Sequence, residues 1–353
     1  MKKKLTILNT SQFGTLTDSY KWCIYLKEHY DITFISFNSY LKRMDVDDVN
    51  YIYVYRFGNP RLRGLWYIIY TIFYCIFHSA PIFIVYFKYC GIFATLFPKR
   101  THVDIRTLAV SDNIEANAKN DYLLKRTVNK FRSASFISNG VQGKLNPLCQ
   151  RQYILPLGAS VVSTKEKDFS ILRLLYVGTL TNRNIITTVK GFDLFIRKYP
   201  NVEISYDIVG DGEDFQLLDK YIKEHNLSNY ITLYGKLSYD ELFPFYDKCN
   251  IGISYIPIRD YYQYQPPTKT FEYILSGLYC IATETIANTE VINNDNGVLI
   301  KDTDNAFSIA LENLLIKNNL NSDIIRNSLL NKYDWRIIVE NKMIPIIENI
   351  YNL

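Results

Sequence analysis

Short apolar runs alternate along the chain with stretches whose apolar residues recur at helical spacing. In the first half "LTILNT", "ITFISF", "YIYVYRF", "PIFIVYF", "THVDIRT" and "ASFISNG" read as strands, with a helix from about Ser19 to His29 after the first. The pattern restarts after the polar stretch "SVVSTKEKDFS". There "LRLLYVGTL", "EISYDIVGDGED", "ITLYGKL" and "IGISYIPI" read as strands, separated by helices from about Ile185 to Lys198, through His225, and from about Tyr239 to Lys248. A further helix carries Glu272. Alternating strands and helices predict parallel sheets covered on both faces. The expected fold class is therefore α/β, with two Rossmann-like, doubly wound domains. Their expected bounds are 1–160 and 169–335, with 160–168 as a linker and 336–353 as a C-terminal helix packing back towards the first domain.

One segment departs from this pattern. "LWYIIYTIFYCIFH", residues 65–78, follows Arg56, Arg61 and Arg63 and is apolar all round. It is too short to span a bilayer, which needs about 20 apolar residues. Two readings stay open: a helix buried against the sheet, or an interfacial helix with Trp66 and the tyrosines at headgroup depth and arginines on lipid phosphates.

Charge adds a second asymmetry. The chain of 353 residues has a formal net charge of +5, yet residues 1–165 hold 22 Lys and Arg against 10 Asp and Glu, and the remainder 18 against 25. A basic first domain suits an anionic partner, either a phosphorylated substrate or acidic membrane headgroups, although a merely solvated basic face has the same composition. The six cysteines, at 23, 75, 90, 149, 249 and 280, lack metal-ligand spacing and read as buried thiols of a reducing compartment. The apolar run after "MKKK" ends at Asn9, too short for a signal peptide. A cytoplasmic location is expected, at the inner face of the cell membrane if the first domain touches lipid. No nucleic-acid partner is expected.

In parallel sheets, ligands bind beyond the carboxyl ends of strands, where loops and helix starts offer unpaired N–H groups. Gly14, after the first strand, lets backbone approach a ligand. After "LRLLYVG", Arg183 lies in the loop and Lys190 about two turns into the next helix, an arrangement suited to a diphosphate. "IVGDGED" lacks a G-x-G-x-x-G fingerprint and is acidic, so it reads as a turn into a helix and excludes a dinucleotide cofactor. In "PPTKTFEYILSG", Thr268 is a candidate N-cap, with Lys269 and Thr270 in the first turn and Glu272 one turn on. Lys269 and Glu272 share a face at the mouth of the expected cleft. There the cation suits a phosphate and the carboxylate suits vicinal hydroxyls, unless the two simply pair with each other. By strand alternation His102, Asp104 and Arg106 share a face, either as sugar or acceptor contacts or as an ion pair sealing the sheet.

"LRLLYVGTL", "YDIVGDGED", "ITLYGKLSYDELFPFYDKCNIGIS" and "PPTKTFEYILSGLYCIAT" resemble, in order and spacing, the donor domain of glycosyltransferase family 4, over about residues 171–300. The resemblance implies a GT-B fold whose two domains face a cleft. It implies a retaining transferase that moves a hexose from a nucleoside-diphosphate sugar, of UDP or GDP type, to a glycan or lipid-linked acceptor in cell-envelope polysaccharide synthesis. It also implies that Glu272 holds the donor ribose, that Arg183 with Lys190 or Lys269 holds the diphosphate, and that the base lies near 234–237, including Gly235. The family often has a second glutamate eight residues earlier, where this chain has Tyr264, which leaves the sugar contacts open. Arg183, Glu272 and Asp104 are the expected catalytic residues, with Asp104, Arg106 and Tyr264 on the acceptor or sugar side. No D-x-D motif stands in a suitable loop, so neither metal nor cofactor is expected. A catalytically inactive nucleotide-sugar binding or assembly subunit and an epimerase of the same fold are the alternatives.

Overall fold

Parallel strands covered on both faces must be apolar throughout rather than on alternate residues. The run "IFIV" meets this condition, and all four of its residues are buried. The computed structural model, which describes residues 2–317 and 319–351, forms two compact units.

The first unit runs to Leu157 and resumes at Trp335. It contains β1 (Lys3–Leu8), β2 (Tyr30–Phe37), β3 (Val49–Val54), β4 (Ile82–Val85), β5 (Thr101–Ile105), β6 (Ser133–Phe136) and β7 (Arg151–Ile154). Their order is β3-β2-β1-β4-β5-β6-β7, with all pairs parallel. Trp22, fully buried, packs edge-on against Phe83 at the centre of this core. The turns from Trp335 to Tyr351 bury Trp335, Ile346, Ile347 and Ile350. Here Tyr30 Oη donates to Glu348 Oε1 at 2.6 Å, and Arg151 donates to the Asn349 carbonyl at 3.1 Å.

The second unit, Gly158–Asp334, contains β8 (Leu172–Val177), β9 (Ile204–Val209), β10 (Ile231–Leu233), β11 (Ile251–Ser254), β12 (Tyr279–Thr283) and β13 (Gly297–Ile300). Their order is β10-β9-β8-β11-β12-β13, again wholly parallel. Residues 160–168, expected as a linker, are part of this unit. The Val162 N–H donates to Ser276 Oγ at 3.0 Å, and buried Lys167 donates to the Tyr246 carbonyl at 2.5 Å.

The segment at 65–78 belongs to a longer helix, Pro60–Phe77, with Pro60 at its first position and the Asn59 side chain accepting from the Arg61 and Leu62 N–H groups. It is neither buried all round nor detached: Tyr67, Ile68, Thr71 and Cys75 face the protein and the opposite side is exposed. All six cysteines are buried and free.

Candidate active site

In the second sheet the order reverses between β8 and β11, so the loop after β8 and the helix after β11 leave the sheet on either side of one crevice. The strand ends come unusually close there. A Cβ on Gly210 would lie 1.8 Å from the Gly178 carbonyl oxygen, and the Gly210 backbone has φ +157°, so only glycine fits. The Gly210 N–H donates to the Gly235 carbonyl at 2.7 Å, which holds the "YGKL" loop against this floor. A cavity of about 340 Å³ results, lined by Val177, Gly178, Gly210, Asp211, Lys236 and Leu237 among others.

The helix Thr268–Leu275 rises from the other side of the crevice. Its position is set from below: a Cβ on Gly252 of β11 would meet the Tyr273 ring at 2.3 Å, and Tyr273 Oη accepts from the Val177 N–H at 2.8 Å. Pro267, not Thr268, is the N-cap, and no side chain caps the helix start. Thr270 is fully buried, with its hydroxyl 2.6 Å from Ser254 Oγ and 3.3 Å from Asn288 Oδ1. It therefore fixes the helix start rather than reaching a ligand.

Lys269 has the most unusual environment. Its stem is partly exposed, but its ammonium is covered, lies 3.7 Å over the Tyr176 ring and has no hydrogen-bond partner among the described residues. The same nitrogen lies 3.1 Å from where a Cβ on Gly178 would be. Lost hydration, and then the neighbouring Arg183 charge, hold its pKa well below the usual lysine value. It makes no direct hydrogen bond to Glu272, so the simple Lys–Glu pair does not form. Glu272, one turn on and half-buried, accepts from Tyr246 Oη at 3.4 Å.

Arg183 lies in the loop after β8 between Asn182 and Asn184, both in the left-handed region. It donates to Tyr262 Oη, and its guanidinium lies 4.8 Å over the same ring. Lys190 is exposed in the second turn of the helix Ile186–Lys198, and its ammonium lies 6.0 Å over the Tyr221 ring. Of the two candidate lysines, Lys269 is the one that feels the Arg183 charge. Tyr264 is half-buried in the segment leading to the Thr268–Leu275 helix. Gly235, at φ +66°, has open space where a Cβ would be. Sequence reasoning missed Tyr176 and Tyr262, the rings beneath the two cations. Tyr176 stands two residues before Gly178, a signal that only the fold makes readable.

In the first unit the polar residues of β5 are committed to one another. Ser135 Oγ donates to Asp104 Oδ1 at 2.5 Å, so it must accept from His102 Nε2–H at 2.8 Å, leaving His102 Nδ1 to accept from Ser133 at 2.7 Å. Burial keeps His102 neutral, its pKa pushed down to about 3. Burial also pushes Asp104 up to about 6, against the opposing pull of Arg106 and Ser135. Arg106 forms a 2.6 Å ion pair with Asp18, donates to the Leu155 carbonyl at 2.7 Å and lies 3.7 Å from Asp104. Asp104 is 0% exposed, and its Oδ2, without a hydrogen bond among the described residues, faces Arg106, the ion pair that is one of the two readings of this strand. Gly14, at φ +86°, packs against Met44, where a Cβ would lie 2.7 Å from that side chain.

Residues 172–317 match the family model described as "Glycosyl transferases group 1". Several solved structures are similar over nearly the whole chain. A sucrose-phosphate synthase from Thermosynechococcus elongatus has TM-score 0.76 at 12% identity, covering 99% of this chain and 100% of that one. The fold is GT-B. A glycosyltransferase from Rickettsia africae gives TM-score 0.76 at 13% identity, covering 99% of each chain. Anabaena HepE in complex with UDP gives 0.74 at 13%, covering 99% of this chain and 100% of that one. Among curated proteins, an uncharacterized glycosyltransferase of Methanocaldococcus jannaschii is 30% identical over 70 residues, so the match spans about a fifth of either protein, 20% of this chain and 19% of that one.

Proposed function

We propose that the protein is a retaining glycosyltransferase that moves a hexose from a nucleoside-diphosphate sugar to a glycan or lipid-linked acceptor. The observation that carries this reading is the covered Lys269 ammonium, which has no hydrogen-bond acceptor among the described residues and stands beside Arg183 at the crevice of a parallel sheet. A diphosphate would supply the missing acceptors. Glu272, one turn along, would take the ribose hydroxyls, and the cavity at Lys236 and Leu237 would take the base. The match of residues 172–317 to a glycosyltransferase family model supports the same reading, as does the similarity to a protein crystallised with UDP.

In the transfer, the bond from the sugar's anomeric carbon to the β-phosphate oxygen breaks, with its electron pair staying on phosphate. The acceptor hydroxyl oxygen bonds to the same face of that carbon, and its proton passes to the departing phosphate oxygen. Arg183, Lys269 and the uncapped start of the Thr268–Leu275 helix meet the growing charge. No metal is called for. The test is release of nucleoside diphosphate from a panel of UDP- and GDP-sugars, with and without chelator. Chelator-resistant release with one donor is expected; release with none would support an inactive binding subunit, and loss restored by manganese would overturn metal independence.

A further inference from the structure

The helix Pro60–Phe77 turns a stripe of large apolar side chains outward. Leu62, Leu65, Ile69, Phe73 and Ile76 recur at helical spacing, and with Phe77 each is more than half exposed. Single exposed apolar residues are ordinary, but a continuous stripe of this kind marks an interaction surface. At about 1.5 Å per residue the helix is roughly 27 Å long. Ring contacts continue the surface beyond it: Trp66 touches Tyr70 and Phe57, and Phe57 stacks with Tyr55, at centroid distances of 5.6 to 6.3 Å.

The charge around the stripe is one-sided. Residues 49–103 contain six Lys and Arg and not one Asp or Glu. Arg61 and Arg63 stand in the first turn of the helix, where its dipole disfavours cations and an external anion would offset the cost. From Gly64 to Phe77 the helix carries no charged residue, amide or histidine to specify the register of a folded partner. Recognition here is apolar and non-directional, bordered by aromatic rings and arginines, as at the headgroup boundary of a bilayer. Among the described residues no helix is long and apolar enough to cross a membrane.

We infer that the outward face of the Pro60–Phe77 helix lies on the surface of an anionic lipid bilayer, its apolar stripe at the acyl boundary and Arg56, Arg61 and Arg63 on lipid phosphates. The surface stands on its own residues and does not depend on the transferase reading.

The test is sedimentation of the full chain with phosphatidylcholine vesicles, with and without phosphatidylglycerol. Trp66 fluorescence gives a second readout: the other two tryptophans, Trp22 and Trp335, are fully covered, so a lipid-dependent blue shift reports Trp66. Binding is expected only with phosphatidylglycerol, weakening at about 1 M salt, where the screening length falls to about 3 Å. The double substitution Ile69→Ser and Phe73→Ser should lower partitioning roughly tenfold or more while leaving the melting transition in place, since both side chains are exposed. Reversing Arg61 and Arg63 to glutamate should abolish the preference for phosphatidylglycerol. Absence of binding at low salt, or equal binding by the serine variant, would overturn the inference. So would a dimer in sedimentation velocity that the serine variant dissociates, because the stripe would then be covered by a second copy.

Discussion

Removing water from the Lys269 ammonium, with Arg183 close by, makes protonation in the folded chain harder than in the unfolded one, whose value is 10.5. Between the depressed value and 10.5 the unfolded chain binds a proton that the folded chain lacks. This group's contribution to stability therefore rises with pH across that window. A bound diphosphate reverses the preference by stabilising the charged form. Nucleotide binding should accordingly take up protons and weaken as pH rises through the window. Titration calorimetry in two buffers of different ionisation enthalpy measures the uptake, and Lys269→Met should abolish it. Glu272→Ala should weaken nucleotide binding by about 1.5 to 3 kcal/mol, the range for hydrogen bonds to a charged acceptor. Unchanged affinity would remove Glu272 from the ribose site. Sequence spacing placed Lys269 and Glu272 on one face of a helix. It did not show that the ring beneath Lys269 belongs to Tyr176, because that contact exists only once β8 and β11 are neighbours.

At the scale of the element, β5 shows what alternation reveals and what it leaves out. The pattern put His102, Asp104 and Arg106 on one face, and the shared Ser135 contact shows His102 and Asp104 together. Alternation carries no information on depth, so it did not separate a ligand contact from a buried network. The network has opposed pH signatures. Asp104, raised from 3.8 to about 6, holds a proton when folded that the unfolded chain has lost, so its contribution falls as pH rises through that window. His102, lowered from 6.5 to about 3, is neutral when folded and protonated when unfolded, so its contribution rises with pH across its own window. Between about pH 4 and 6 the two largely cancel. Asp104→Asn should leave the His102 slope uncovered, so the variant's stability relative to wild type should rise with pH by at most about 1.4 kcal/mol per unit. Urea unfolding at several pH values checks this. The Pro60–Phe77 helix teaches a related lesson. Its start lies in "GNPRLR", with an asparagine cap and a first-turn proline, ahead of the apolar run that begins at Leu65. Short β7, "RQYI", lies at a sheet edge and carries only two apolar positions, too few to stand out.

For the whole molecule, two runs of the same strand–helix alternation made the two-sheet fold readable, because buried parallel strands leave continuous apolar runs. The ends of the units were less readable. Polar "SVVSTKEKDFS" looks like a linker, yet Lys167 and Ser163 are buried within the second unit by bonds to Tyr246 and Asp247. All the residues assigned to donor binding after β8, namely Arg183, Lys269, Glu272 and the cavity at Gly178 and Gly210, lie in that unit. The central claim is that this crevice binds a nucleoside diphosphate through the covered cation. Calorimetric titration of UDP and of GDP into the wild-type protein and the Lys269→Met variant tests it most directly. One of the two nucleotides should bind the wild type, with affinity lowered roughly tenfold or more in the variant. Binding of neither nucleotide to the wild type, or equal binding by both proteins, would contradict the account.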